Sequence, residues 1–307
     1  MDATQQKGSL KQLRGPFDGL GFLISFISVV KVRGVVSFIT LLLAYNNCSP
    51  RSSQSPNDFI SHYERNGGKE RVIVFVHGIY ADARTGWTCP RTKAYWPQLI
   101  LSDGAFADYD VYVAGYKSSP FGNHMTIDEI ATNLSNRLQS DRVFSHPEVV
   151  FVCHSVGGMI VQRLLLSNPG YADRVPLIFF FSTPQSGTDL AKLAHLVSSD
   201  PVLDALLPGN ENAYLLNLEN EFKTMYHKTK KFCAYETIPT MGMVIADRLS
   251  ATRLCDETPI PINSNHVDVV KPCDKNADSY IALKNAVEKN SIVSRPHAAE
   301  DDAAKSK

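Results

Sequence analysis

The stretch "VFVCHSVGGM", Val150 to Met159, decides how the rest of the chain is read. Three apolar residues of strand character run into Cys153-His154-Ser155, and Gly157 and Gly158 then open a helical pattern. A hydroxyl at such a strand-to-helix hinge suits a nucleophile elbow, because the turn forces unusual backbone angles and its neighbours must be small. The usual pattern is G-x-S-x-G, and here Cys153 stands where the first glycine would be. Serine is also a favoured helix N-cap, so the motif by itself leaves both nucleophile and cap open.

From Arg71 onward, short apolar runs alternate with longer helical patterns, the signature of an α/β protein with a parallel sheet flanked by helices. Strands are expected at 71–78, 110–116, 148–154, 176–183 and 230–236, several of them apolar throughout, as strands covered on both faces should be. Helices are expected over "TIDEIATNLSNRLQ", directly after the elbow, and over "SYIALKNAVEK". Residues 186–229 read as a leucine-rich helical insertion that serves equally as a lid above the sheet or as further core.

A chain of 307 residues fits one large domain or two small ones. Its 31 Lys plus Arg balance 31 Asp plus Glu, so no net field draws it to a nucleic-acid backbone, and no nucleic-acid partner is expected. The cysteines, at 48, 89, 153, 233, 255 and 273, form no C-x-x-C pair and no metal-ligand spacing. They read as scattered packing residues, with Cys255 and Cys273 able to pair in an oxidising compartment. No motif calls for a cofactor or a metal.

The N-terminus differs in kind. After Lys7, Lys11 and Arg14 come two apolar runs, "FDGLGFLISFISVV" and "GVVSFITLLLAY", split by Lys31 and Arg33. Neither run reaches the ~20 residues a spanning helix needs. The second also resembles a signal-peptide core, without a clear small-x-small cleavage site. Such apolar density is costly in water, which favours membrane insertion or targeting over a helical hairpin packed on the domain. The expected organisation is therefore a membrane-associated or targeting segment with a Ser/Pro-rich linker at 1–58, a catalytic domain at 59–289 and a polar tail at 290–307. Compartment and oligomeric state stay open.

A serine hydroxyl is a weak nucleophile unless a base takes its proton and an acid orients that base. In the nucleophile-elbow fold the chain order is Ser, acid, His. Downstream of Ser155, His195 and His227 fall in the insertion and His297 in the tail, which leaves His266, in "NSNHVDVVKP", as the base. Glu236, at the end of the strand "KKFCAYE", is favoured as the acid, because a charged side chain at the edge of a core strand needs a partner. Asp247 is the alternative, although Asp directly before a short helix is an ordinary N-cap; Asp256 and Glu257 come after it. Oxyanion donors are expected from the N–H groups of Val156 and of Ile79, the latter following Gly78 in "VHGIY".

With these residues in place, the chain resembles α/β-hydrolase serine esterases and lipases over roughly residues 71 to 285. It looks most like the serine-active-site-containing proteins of phosphatidylglycerol remodelling and the inositol-deacylase-like lipases. The likeness rests on "VFVHGIYADARTGW", "VFVCHSVGGMIVQRLL", "FFFSTPQSGTDLA", "AYETIPT" and "NHVDVVKP", in that order. It implies an α/β-hydrolase fold, hydrolysis of lipid or phospholipid acyl esters through an acyl-enzyme, and a membrane-associated setting. Cys153 and Gln185, which stands where "TPH" is common, depart from the pattern and loosen what it implies about substrate. An acyltransferase or thioesterase would use the same triad, and a catalytically inactive membrane-tethered scaffold would use the same fold.

Overall fold

In a computed structural model, the described residues are 60–79, 81–117, 125–185, 213–240, 242, 244–246 and 248–293. Seven strands make one sheet: β1 (His62–Arg65), β2 (Arg71–Val76), β3 (Tyr109–Ala114), β4 (Glu148–His154), β5 (Leu177–Phe181), β6 (Lys230–Glu236) and β7 (Ile260–Ile262). The helices are α1 (Trp96–Leu101), α2 (Ile127–Ser140), α3 (Val156–Leu166), α4 (Ala213–Met225), α5 (Arg248–Ala251) and α6 (Asp278–Val293). The strand order is β1-β3-β2-β4-β5-β6-β7, parallel throughout except for β1, which runs antiparallel on the β3 edge.

The central strands are apolar at nearly every position because each face of the sheet is covered. Val72, Val74, Val76, Phe151, Cys153, Ile178 and Phe180 point to one side, into a cluster with α2, α3 and α4. Ile73, Phe75, Val150, Val152, Phe179 and Phe181 alternate with them and meet Trp87, Trp96 and the inner face of α6. Thr126 and Glu129 close a reciprocal capping box at the start of α2, supplying partners for donors that the first helical turn leaves open.

Of the expected insertion, residues 186–212 lie outside the described residues. The described remainder is α4, whose Leu215, Leu218 and Phe222 enter the core cluster shared with α3, so this part is core and not lid. Tyr226, just past α4, reinforces the contact by donating its hydroxyl proton to Leu165 O at 2.8 Å. The apolar N-terminal runs, the linker and the tail from residue 294 on also lie outside the described residues. Among those described, no helix is long and apolar enough to cross a membrane.

The cysteine reading needs correction. Cys89 pairs with Cys273 and Cys233 with Cys255, so Cys255 and Cys273 are not partners. Four of the cysteines are thus staples; the spacing concealed this because one bridge spans 184 residues and the other joins a strand to the loop after α5. Cys153 is free and buried.

Candidate active site

The C-terminal ends of the parallel strands converge on Ser155. The residue sits between β4 and α3 with φ 51° and ψ −133°, outside the regions that side chains ordinarily occupy. Such a backbone costs on the order of 1–3 kcal/mol and persists only where the surroundings enforce it. Ser155 N donates to Phe181 O at 3.0 Å, fixing the hinge to β5. The two glycines let α3 begin hard against the sheet: a Cβ on Gly157 would collide with the carbonyls of Val76 and His77, and one on Gly158 with Thr183. The Ser155 side chain makes no cap hydrogen bond to its own helix, which leaves its hydroxyl available to a partner elsewhere.

That partner is His266. Its Nε2 stands 3.0 Å from Ser155 Oγ, and its Nδ1 stands 3.0 Å from Glu236 Oε1. All three residues are buried. Glu236 Oε1 also accepts the Ala246 N–H at 3.1 Å, and Glu236 N donates to Ser182 Oγ at 3.2 Å. Burial alone would push the Glu236 carboxyl up; hydrogen bonding and charge from His266, with Ser182 and the Ala246 N–H, outweigh it and hold the group below its usual value.

Asp247 lies outside the described residues, as do His195 and His297. His227 is exposed beyond the end of α4, where its ring pairs with Thr224 O. Asp256 and Glu257 are engaged elsewhere, with Lys231 at 3.0 Å and Lys289 at 2.7 Å.

The turn after β2 lies directly beside the serine: a Cβ on Gly78 would stand 2.8 Å from Ser155 Cβ. His77 is fully buried, with burial lowering its pKa to about 4, so the ring is neutral. Its Nδ1–H donates to Gly78 O at 2.8 Å, and the ring stacks on Tyr116 at 4.0 Å between centroids. Tyr116 donates its hydroxyl to His77 O. Because a trans peptide sets its C=O and N–H on opposite sides, pinning Gly78 O to the His77 ring aims the Ile79 N–H the other way. Val156 N–H is at the first position of α3, where no intrahelical acceptor exists.

Cys153, in place of the first glycine, packs in the α2–α3 side of the core, and burial pushes its thiol well above the usual range. It stays protonated and unreactive. Among the described residues no group of three or more His, Cys, Asp or Glu is placed to hold a metal ion.

Several residues at the site carried no signal of their own in the sequence. Ser182 and Thr240 act through single hydroxyls, and Ala246 through its backbone. His154 stands directly before Ser155, which is the one clue that it offered.

The model of a family described as "Domain of unknown function (DUF7379)" matches residues 42–216. The chain belongs to that family. Among the relatives of this DUF7379 chain is Protein SERAC1 of Homo sapiens, 24% identical over 246 residues, covering 68% of this chain and 37% of SERAC1. The Bos taurus SERAC1 is 25% identical with the same coverage. The chain thus spans about 37% of the length of the curated relatives it matches. Of solved structures, lipase BlEst2 of Bacillus licheniformis in its mature form superposes with a TM-score of 0.51 at 17% identity, over 70% of this chain and 94% of that one. Phospholipase PlaB from Legionella pneumophila gives 0.55 at 16% identity, over 71% and 59%. At these identities the likeness is one of fold, and the fold is that of the α/β-hydrolases.

Proposed function

We propose that the protein is a serine hydrolase of carboxylic esters, with Ser155 as nucleophile, His266 as general base and Glu236 as the orienting acid. The observation that carries this reading is the unbroken hydrogen-bonded chain from Glu236 through His266 to a serine held at positive φ. A strained serine that caps nothing, buried against a histidine whose other nitrogen faces a carboxylate, has no comparable purpose in packing.

Ser155 Oγ attacks the ester carbonyl carbon as its proton passes to His266 Nε2. The carbonyl electrons move onto oxygen, and the N–H groups of Val156 and Ile79 receive the oxyanion. Glu236 accepts from His266 Nδ1–H and balances the imidazolium. As the tetrahedral species collapses, the bond to the alcohol oxygen breaks and His266 returns the proton to that leaving group. The acyl group stays on Ser155 until water attacks it, giving its proton to His266; the carboxylic acid departs and Ser155 regains its hydrogen.

The substrate in this reading is an acyl ester of a phospholipid or another lipid. The resemblance to lipases, the solved lipase and phospholipase of the same fold, and the apolar N-terminal runs with Lys7, Lys11, Arg14, Lys31 and Arg33 beside them support it. The test is labelling with a fluorophosphonate, followed by an ester panel that varies chain length and head group. The reading requires labelling that disappears in Ser155→Ala. Turnover should also rise on lipid esters over short soluble ones. An unlabelled wild-type protein that hydrolyses no ester would refute it.

A further inference from the structure

The main chain of His266 is gripped from two sides, and the grips come from the two segments that also hold its ring. Its N–H donates to Thr240 Oγ1 at 3.0 Å, in the loop that follows Glu236. Its carbonyl accepts from His154 Nε2–H at 2.9 Å, from the residue that precedes Ser155. A carbonyl cannot donate, so the His154 tautomer is fixed with hydrogen on Nε2. Next to this point Asn265 Oδ1 accepts the N–H groups of Val267 and Asp268, both at 3.0 Å, and shapes the following turn. His266 therefore sits on an irregular turn outside any helix or strand; backbone bonds from Val269 N to Asn265 O at 3.0 Å and from Ile238 N to Ser264 O at 3.1 Å hold the turn on either side, and the two side-chain bonds fix the His266 main chain within it.

We propose that His154 is a positioning residue for the hydrolysis proposed above: its Nε2–H ties the His266 backbone to the nucleophile strand and so keeps His266 Nε2 within reach of Ser155 Oγ. The inference rests on the serine-hydrolase reading of the site. Three features set His154 apart from a packing residue. Its hydrogen bond crosses 112 residues to land on the base itself. Its ring lies 5.1 Å from the His266 ring, and its Nδ1 is 3.4 Å from where a Cβ on Gly78 would be. And burial, with His266, Lys271 and His77 nearby, holds it well below the usual histidine range, so it stays neutral beside a base that becomes cationic in each half-reaction. A charged neighbour at that distance would oppose the imidazolium, whereas a neutral donor to the backbone holds the turn without that cost.

The experiment compares His154→Phe, which keeps an aromatic ring and removes the N–H, with His154→Gln, whose amide carries a donor at similar reach. A base displaced by about 1 Å loses on the order of 10²-fold in rate. The expected result is a kcat lowered ~10- to 100-fold in His154→Phe, with KM within twofold of wild type and most of the rate recovered in His154→Gln. The strongly downfield proton resonance of His266 Nδ1–H should shift or broaden in the Phe variant and stay in place in the Gln variant. Equal behaviour of the two variants, active or impaired, or a loss confined to KM, would overturn the proposal. If His154→Phe does not fold, His154→Asn, whose amide is too short to reach the carbonyl, takes its place under the same criteria. If the wild-type protein neither hydrolyses esters nor takes up fluorophosphonate, the serine-hydrolase reading fails by itself. The resonance then decides the clamp, and an unchanged signal in the Phe variant overturns it.

Discussion

Gly78 approaches Ser155 so closely that a Cβ on the glycine would stand 2.8 Å from that of the serine. The turn that offers the Ile79 N–H and the residue proposed to attack the ester are therefore one packed unit. Gly78→Ala must push them apart, and the expected loss is ~10²- to 10³-fold in kcat, the scale of removing an oxyanion donor. Circular dichroism should stay native, since the turn lies past the end of β2. Near-wild-type turnover would mean that Ile79 gives no hydrogen bond to the oxyanion.

Ser155→Ala should lower turnover by ~10⁴-fold or more, as removal of a triad member does. Ser155→Gly should be equally inactive yet more stable than wild type. Glycine tolerates φ 51° without strain, and relief of roughly 1–3 kcal/mol exceeds its extra unfolded-state entropy of roughly 0.5–1 kcal/mol. A net gain of about 1 kcal/mol raises Tm by ~2–4 °C in a domain of this size. A lower Tm by calorimetry would show that Ser155 is not strained.

Glu236→Gln should lower kcat by ~10³- to 10⁴-fold, and more than Asp247→Asn does, because the carboxylate on His266 Nδ1 holds the ring and balances its charge. It also has a pH signature. The folded-state pKa of Glu236 is depressed, so its contribution to stability is present above the unfolded value of about 4.3 and is lost as pH falls through the folded one. Urea midpoints measured downward from pH 6 should fall more steeply for wild type than for Glu236→Gln. Parallel curves would remove Glu236 from the acid limb.

The two disulfides should separate stability from activity. The Cys89–Cys273 bridge closes 184 residues and is worth about 5 kcal/mol by loop entropy, while Cys233–Cys255 closes 22 and is worth about 3 kcal/mol. Yet the shorter loop contains Glu236, Thr240 and Ala246, all bonded within the site. Replacing Cys233 and Cys255 by alanine is expected to cost more in kcat, and replacing Cys89 and Cys273 more in denaturation midpoint. The opposite ranking in paired urea and ester assays would show that the acid loop needs no staple.

If the apolar N-terminal runs hold the protein at a membrane, deleting residues 1–55 releases it into the soluble fraction on cell fractionation and leaves hydrolysis of a short soluble ester intact. Full-length protein already in the soluble fraction, or a truncated form unable to fold, would refute the anchor.

How much of this was legible in the residues follows from what each element depends on. β2, β4 and β5 announce themselves because both of their faces are covered and the apolar run is unbroken. β1, "HYER", is a half-exposed edge strand of four residues with no apolar alternation, so it carries no strand signal. β7 carries Pro261 in a strand of three residues, tolerable because it pairs on one side only. At the site, chain order points to Ser155 and His266, but order does not say which carboxylate faces an imidazole; the 3.0 Å contact of Glu236 with His266 Nδ1 is a tertiary one, and Asp247 lies outside the described residues. Thr240 and His154 were invisible for a related reason: each contributes one hydrogen bond to a backbone group 26 or 112 residues away, and no local periodicity encodes such a contact.

The spacing along the chain also sets a timetable. Ser155 and the turn carrying Ile79 come from neighbouring parallel strands, whereas His266 is made 111 residues after the serine. At roughly 5–20 residues per second, a ribosome takes on the order of 10 s to cover that distance. Throughout that interval the growing chain holds Ser155 without the imidazole that stands 3.0 Å from its hydroxyl in the folded protein, so the hydrogen-bonded chain on which the proposed hydrolysis rests is incomplete. The proposed chemistry would begin only once the turn carrying His266 has docked beside the strand that leads into Ser155.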